Sequence, residues 1–194
     1  MTSNLNTRGG LLSRLSRAIL GLFGWRVVFV PPPVPKAVVI VYPHTSNWDF
    51  PIGVLARSVI AIPIGFIGKD TLFRPPFGGF FRWLGGIPVN RRESTGLVAA
   101  LAEQFAQRDS LYLAIAPEGT RSKVDHWKSG FYRLALAANV PLGLAFIDYS
   151  RREIGIEVWL DLCGREEEDL ASIRAGYAGK RGRLPEKEGD IRIA

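Results

Sequence analysis

Four short apolar runs limit what this chain can fold into: AVVIVY at 37–42, LYLAIA at 111–116, PLGLAFIDY at 141–149 and IGIEVWL at 154–160. Runs of this length without polar alternation mark strands covered on both faces. IPIGFIG (62–68) and IPV (87–89) read as two more strands. Stretches with helical character lie between them at 50–60, 94–107, 130–139 and 165–178, and Ser94 is the expected N-cap of the second. Alternating strands and helices predict a single α/β domain built on a mixed, largely parallel sheet flanked by helices. PPPVP at 31–35 is stiff and cannot continue a helix. It separates an arm (1–36) from a core (37–164), which is followed by a C-terminal helix and charged tail (165–194). From Lys180 onward the chain is charged and poor in apolar residues, so that end is expected to be loose.

Composition narrows the partners. Of 194 residues only one is cysteine and two are histidine, which excludes an internal disulfide and any zinc-type ligand set, and fits a reducing compartment. The net charge of +7 calls for an anionic partner. No Asp or Glu precedes Asp49, whereas Arg8, Arg14, Arg17, Arg26 and Lys36 do. These basic residues are interleaved with LLSRLSRAILGLFGW (11–25), where Leu11, Leu15, Ile19, Leu22 and Phe23 keep helical spacing. The segment is shorter than the roughly 20 apolar residues that span a bilayer. It suits a basic amphipathic helix in the interface of a membrane, here its cytoplasmic side, with Trp25 at headgroup depth. Packing on the domain is the other use of such a helix. No nucleic-acid motif accompanies the basic residues.

Polar clusters follow two of the buried strands. HTSNWD puts His44 five residues before Asp49, right after the first run. An imidazole oriented by a carboxylate can take a proton from a hydroxyl near neutral pH. Ser46 and Asp49 also form an S-x-x-D helix-capping pattern with Pro51 in the first turn, and on pattern alone both readings stay open. PEGTRS (117–122) gathers a carboxylate, two hydroxyls and a guanidinium, a set that can bind phosphate or act as a polar turn. The stretch 68–92 scatters Lys69, Arg74, Arg82, Arg91 and Arg92 among aromatics and glycines. It reads as an anion site beside an apolar groove or as a membrane face. In open α/β sheets ligands bind beyond the carboxyl ends of the strands, so the clusters are candidates for one site.

In combination these motifs resemble the glycerolipid acyltransferases. His44 to Asp49 matches their H-x-x-x-x-D, GGIPVNR matches the second motif at Gly86 and Arg91, Glu118 to Ser122 is their E-G-T-R-S, and Val140-Pro141 opens their fourth. Asn90 stands where the second motif has aspartate. The resemblance implies a catalytic His44 acting as general base and oriented by Asp49, on a lysolipid hydroxyl that attacks an acyl-CoA or acyl-carrier-protein thioester directly. It implies an acceptor site from Lys69, Gly86, Arg91, Glu118, Gly119, Thr120 and Arg121, no metal and no cofactor. The implied acceptor is a lysophospholipid such as 1-acylglycerol-3-phosphate. A lyso-ornithine lipid is an alternative, and a non-catalytic peripheral lipid-binding protein is a second.

Overall fold

The structure is a computed structural model that describes residues 10–89 and 96–193. Its strands are β1 (Arg26–Phe29), β2 (Lys36–Val41), β3 (Ile64–Lys69), β4 (Gly86–Val89), β5 (Leu111–Ile115), β6 (Leu142–Asp148) and β7 (Glu153–Leu160). Its α-helices are α1 (Leu11–Leu22), α2 (Asp49–Ile60), α3 (Gly78–Trp83), α4 (Leu97–Gln107), α5 (Gly130–Ala138) and α6 (Glu166–Tyr177). The strands form one sheet in the order β1-β7-β6-β2-β5-β3-β4. Every neighbouring pair is parallel except β6 with β7. This is the expected mixed, mostly parallel α/β sheet.

Alternate residues of the central strand feed two cores. Val38 and Ile40 join Phe105, Phe131, Leu134, Leu170 and Ile173, so α4, α5 and α6 cover one face. On the other face Leu20 of α1 packs with Ala56 and Val59 of α2 and with Ile147 and Ile154 of the sheet. Both faces are therefore dry, which is why the central strands read as unbroken apolar runs. From β2 the chain crosses by α2 to β3, on one side of it. From β5 it crosses by α5 to β6, on the opposite side. These connections leave adjacent strands β2 and β5 for opposite faces of the sheet, α2 packing with Leu20 and Ile147 and α5 with Phe105 and Leu170, and the crevice between them is the topological switch point where ligands bind in open sheets. HTSNWD follows β2 and PEGTRS follows β5.

Both ends of the chain depart from expectation. Residues 10–36 hold two separate elements: α1 lies against α2, while β1 is an edge strand paired with β7 from Arg26↔Glu153 to Phe29↔Ile156. The face that α1 buries holds Ser13, Ser16 and Leu20, and its two small serines let the helices approach closely. Leu11, Leu15 and Leu22, at 84%, 53% and 82% exposure, point away from the protein. The tail from Lys180, expected to be loose, is tied down along its length. Tyr149 N–H donates to Arg181 O (2.8 Å), Trp127 N–H donates to Arg192 O (2.7 Å), and the Arg174 guanidinium reaches Ile191 O (3.0 Å). Its order comes from backbone hydrogen bonds, which composition does not report. Ser94 lies outside the described residues; α4 starts at Leu97, after Gly96.

Candidate active site

Asp49 is the first residue of α2, and its side chain is 1% exposed. Its Oδ2 accepts the Ser46 N–H (2.9 Å) and lies 3.0 Å from His44 Nδ1. Ser46 Oγ in turn accepts the Trp48 N–H (3.2 Å). The same carboxylate thus ties down the turn before α2 and pairs with the histidine, while no side chain caps the helix itself, and the helix start fixes where that carboxylate sits. At 3.0 Å the Nδ1 atom is close to Oδ2 but off the direction in which a ring N–H would point. Catalytic hydrogen bonds often tighten only when substrate is bound.

Glu118 joins the two motif loops. It is buried, its Oε2 accepts the His44 N–H (3.2 Å), and its Oε1 accepts the Gly189 N–H (3.4 Å) from the C-terminal segment. Burial pushes its carboxyl up to about 7, against the pull of those two amides. With both oxygens engaged by backbone, Glu118 braces the site and does not face the cavity. The C-terminal segment also grips the first loop, since Leu184 N–H donates to Thr45 Oγ1 (3.2 Å) and the Tyr42 hydroxyl donates to Gly189 O (3.0 Å). The Arg183 guanidinium lies 5.6 Å from the ring centre of exposed Trp48.

A cavity of about 600 Å³ opens beside these loops and runs beneath α2 along the sheet. His44, Asp49, Lys69, Gly119, Thr120 and Arg121 line it with Val39, Phe50, Ile67, Phe81 and Ile156. One end is polar and basic, and the remainder is hydrocarbon and aromatic. Gly119 has φ +67, and a side chain there would meet the Lys128 side chain at 3.1 Å, so the loop needs glycine. That approach brings Lys128, which the sequence did not single out, to the same loop. Gly86 is explained by packing: a Cβ would lie 2.7 Å from both Phe73 Cε1 and Phe81 O. Among the described residues no carboxylate pairs with Arg121, which is exposed. Arg91 lies outside the described residues. Among those described, no three His, Cys, Asp or Glu side chains cluster as a metal site would require.

The sequence comparisons agree with this geometry. The family model described as Acyltransferase matches residues 30–143, more than half of the chain. The chain belongs to the acyltransferase family. It is 30% identical over 146 residues to the 1-acyl-sn-glycerol-3-phosphate acyltransferase of Escherichia coli (strain K12), across 70% of this chain and 56% of that one. The protein of the same name from Salmonella typhimurium is 32% identical over 106 residues, 51% of this chain and 42% of that one. The chain spans about half the length of the curated relatives it matches. Among solved structures, the crystal structure of the 1-acyl-sn-glycerophosphate (LPA) acyltransferase PlsC from Thermotoga maritima superposes with a TM-score of 0.60 at 18% identity, over 87% of this chain and 76% of that one. That likeness is one of fold. Of this acyltransferase-family chain, His44, Asp49 and 118–121 lie inside the family match, while Tyr149 and the C-terminal segment lie beyond it.

Proposed function

We propose that the chain moves a fatty acyl group from a thioester, acyl-CoA or acyl-carrier protein, to the hydroxyl of a lysophospholipid such as 1-acylglycerol-3-phosphate. One observation carries the reading: an imidazole paired at 3.0 Å with a buried carboxylate, at the polar mouth of a long apolar cavity. His44 removes the acceptor's hydroxyl proton through Nε2 as the oxygen attacks the thioester carbonyl. The tetrahedral oxyanion collapses, the C–S bond breaks, and the imidazolium returns its proton to the leaving thiolate. Asp49 stabilises the charge that appears on the ring. Lys69, Thr120 and Arg121 at the cavity mouth are suited to an anionic acceptor headgroup, and the hydrocarbon walls to an acyl chain.

Access from a membrane interface, at its cytoplasmic side, suits the outer surface. The α1 leucines point outward on one side of α2. On its other side Phe50 of α2 packs on Phe81 of α3, whose neighbours Phe77, Phe80 and Trp83 are exposed. Among the described residues no helix is long and apolar enough to cross a membrane. A basic, apolar-faced helix beside an aromatic face fits interfacial contact.

The test is His44→Ala, assayed by mass spectrometry with lysophosphatidate, neutral lysolipids and lyso-ornithine lipid against both thioester donors. General-base removal is worth about 10²–10⁴-fold. The variant should fold normally and lose turnover on that scale. A folded variant with near wild-type turnover overturns the reading.

A further inference from the structure

The Asp49 carboxylate has more than one imidazole to satisfy. It is sealed from solvent, so its lone pairs must find donors inside the protein. Oδ2 takes the Ser46 N–H and faces His44. Among the described residues the donor to Oδ1 is the Tyr149 hydroxyl, at 2.8 Å. Tyr149 follows directly on the end of β6, a neighbour of β2 in the sheet. Its ring is fixed from both ends of the chain. Trp25, between α1 and β1, meets it edge-on with ring centres 4.9 Å apart, and its backbone N–H donates to Arg181 O at 2.8 Å. A phenylalanine would keep the ring contacts, so it is the polar contacts, the bond to Asp49 above all and the Ser46 side chain beside it, that call for the oxygen. Burial, together with that bond, pushes the phenol up from its ordinary value, so the proton stays on the tyrosine and the carboxylate remains an acceptor.

We propose that Tyr149 is a positioning residue for the His44–Asp49 pair: its hydroxyl anchors Oδ1 and holds the plane of the carboxylate so that Oδ2 stays on His44 Nδ1. The inference rests on the reading of His44 as the general base. When the ring takes the acceptor's proton, the new charge is stabilised only by a carboxylate held in that plane. Without the hydroxyl, Oδ1 is a buried unpaired acceptor and the group turns to relieve it, leaving Oδ2 shared less favourably between Ser46 and the ring. Tyr149 acts through Asp49 and not on substrate, so the loss falls on kcat.

The experiment compares wild type, Tyr149→Phe, Asp49→Asn and the double variant, with His44→Ala alongside, in steady-state assays that vary donor and acceptor separately. Tyr149→Phe should lower kcat about 10- to 100-fold, the worth of one hydrogen bond to a charged group. Both KM values should stay within about twofold, and the pH profile of kcat should move. In the Asp49→Asn background the same change should cost less than about twofold, because a residue acting through Asp49 has nothing left to position. Site-specific 3-fluorotyrosine at 149 keeps the shape, changes only the acidity of the phenol, and should alter kcat with KM unmoved. Wild-type kcat in Tyr149→Phe, or equal losses with and without the Asp49 carboxylate, overturns the proposal. Loss of turnover in His44→Ala beside unchanged Tyr149→Phe removes this inference and leaves the proposed function standing. Full turnover in His44→Ala removes both.

Discussion

The two ends of this chain are both basic, and the protein uses them in opposite ways. At the N-terminal end α1 buries two serines and a leucine and turns its leucine stripe outward, with Arg14 and Arg17 also exposed. At the C-terminal end, residues 180–193 have little apolar content, yet they enter the core. Lys180 is buried against the Phe146 ring (3.5 Å) and paired with Glu157 (2.7 Å), and the backbone beyond it is bonded to Thr45, Glu118 and Trp127. Hydrophobicity would have assigned these places the other way round. The difference teaches that an apolar stripe says a surface needs covering without saying by what, and that a polar segment can be integral once its backbone has partners.

The widest test of that contrast is deletion of 181–194. The C-terminal segment holds Thr45 and Glu118 by direct bonds, so its loss releases both motif loops. Orphaning a buried polar group costs about 1–3 kcal/mol. With 1 kcal/mol worth about 2–4 °C at this chain length, loss of several such bonds should lower Tm by roughly 10 °C. Turnover should fall to background even on a dispersed, detergent-solubilised acceptor. A truncated protein that melts and turns over like wild type would make this end as dispensable as its composition suggests.

Gly182→Val is a gentler break in the same place. A Cβ at Gly182 would lie 2.7 Å from Thr45 Oγ1 and 3.1 Å from Pro43 Cβ. Overpacking of this kind typically costs about 1–3 kcal/mol. The segment should lift from the HTSNWD turn, with lower Tm and turnover reduced while donor KM is kept. Wild-type kinetics with a lower Tm would separate anchoring of the segment from alignment of the site.

These two ends also mark where sequence reasoning stopped. The strands, the crossover helices, and the meeting of HTSNWD with PEGTRS were legible because dry sheet faces force unbroken apolar runs and because parallel strands place their carboxyl ends together. His44 and Asp49 were legible as a pair, although whether Asp49 capped or oriented was not; its carboxylate holds the Ser46 turn and faces the imidazole, and caps no helix. Tyr149 was hidden because an aromatic at the end of an apolar run reads as core, and its bond to Asp49 spans 100 residues. β1 was hidden inside a segment whose helical stripe dominated the pattern. Glu118 was legible as a site residue, but its role depends on Gly189, and no local pattern couples 118 to 189.

Glu118 gives the comparison a pH axis. Its carboxyl is pushed up to about 7 in the folded protein, chiefly by burial, from an ordinary 4.5. Between those values the unfolded chain has released a proton that the folded protein still holds. Stability therefore falls as pH rises from about 4.5 to 7. Chemical denaturation across that window should show the slope in wild type and a flatter one in Glu118→Gln. The amide also cannot accept both backbone N–H groups, so the variant should be less stable at low pH. An equal slope in the variant would assign the titration to another group.

The smallest effect on the fold is expected at the other end, from Leu11→Ser with Leu15→Ser and Leu22→Ser. All three side chains are more than half exposed, and surface changes away from buried features stay within about 0.5 kcal/mol each. Tm should hold, and turnover on a dispersed acceptor should stay within about twofold. Flotation with vesicles is where the loss should appear, because each leucine buried in lipid is worth about 1.5–3 kcal/mol. The retained Arg14 and Arg17 should leave a weak residual binding that requires anionic lipid and disappears with salt, since each basic residue near such a surface contributes about 1 kcal/mol and is screened within a Debye length. Flotation equal to wild type would move the contact to Phe77, Phe80 and Trp83 of the α3 region, and the same assay on Phe80→Ser with Trp83→Ser would then decide it. A large fall in Tm would mean instead that the stripe is covered within the folded protein, and both ends would then be integral.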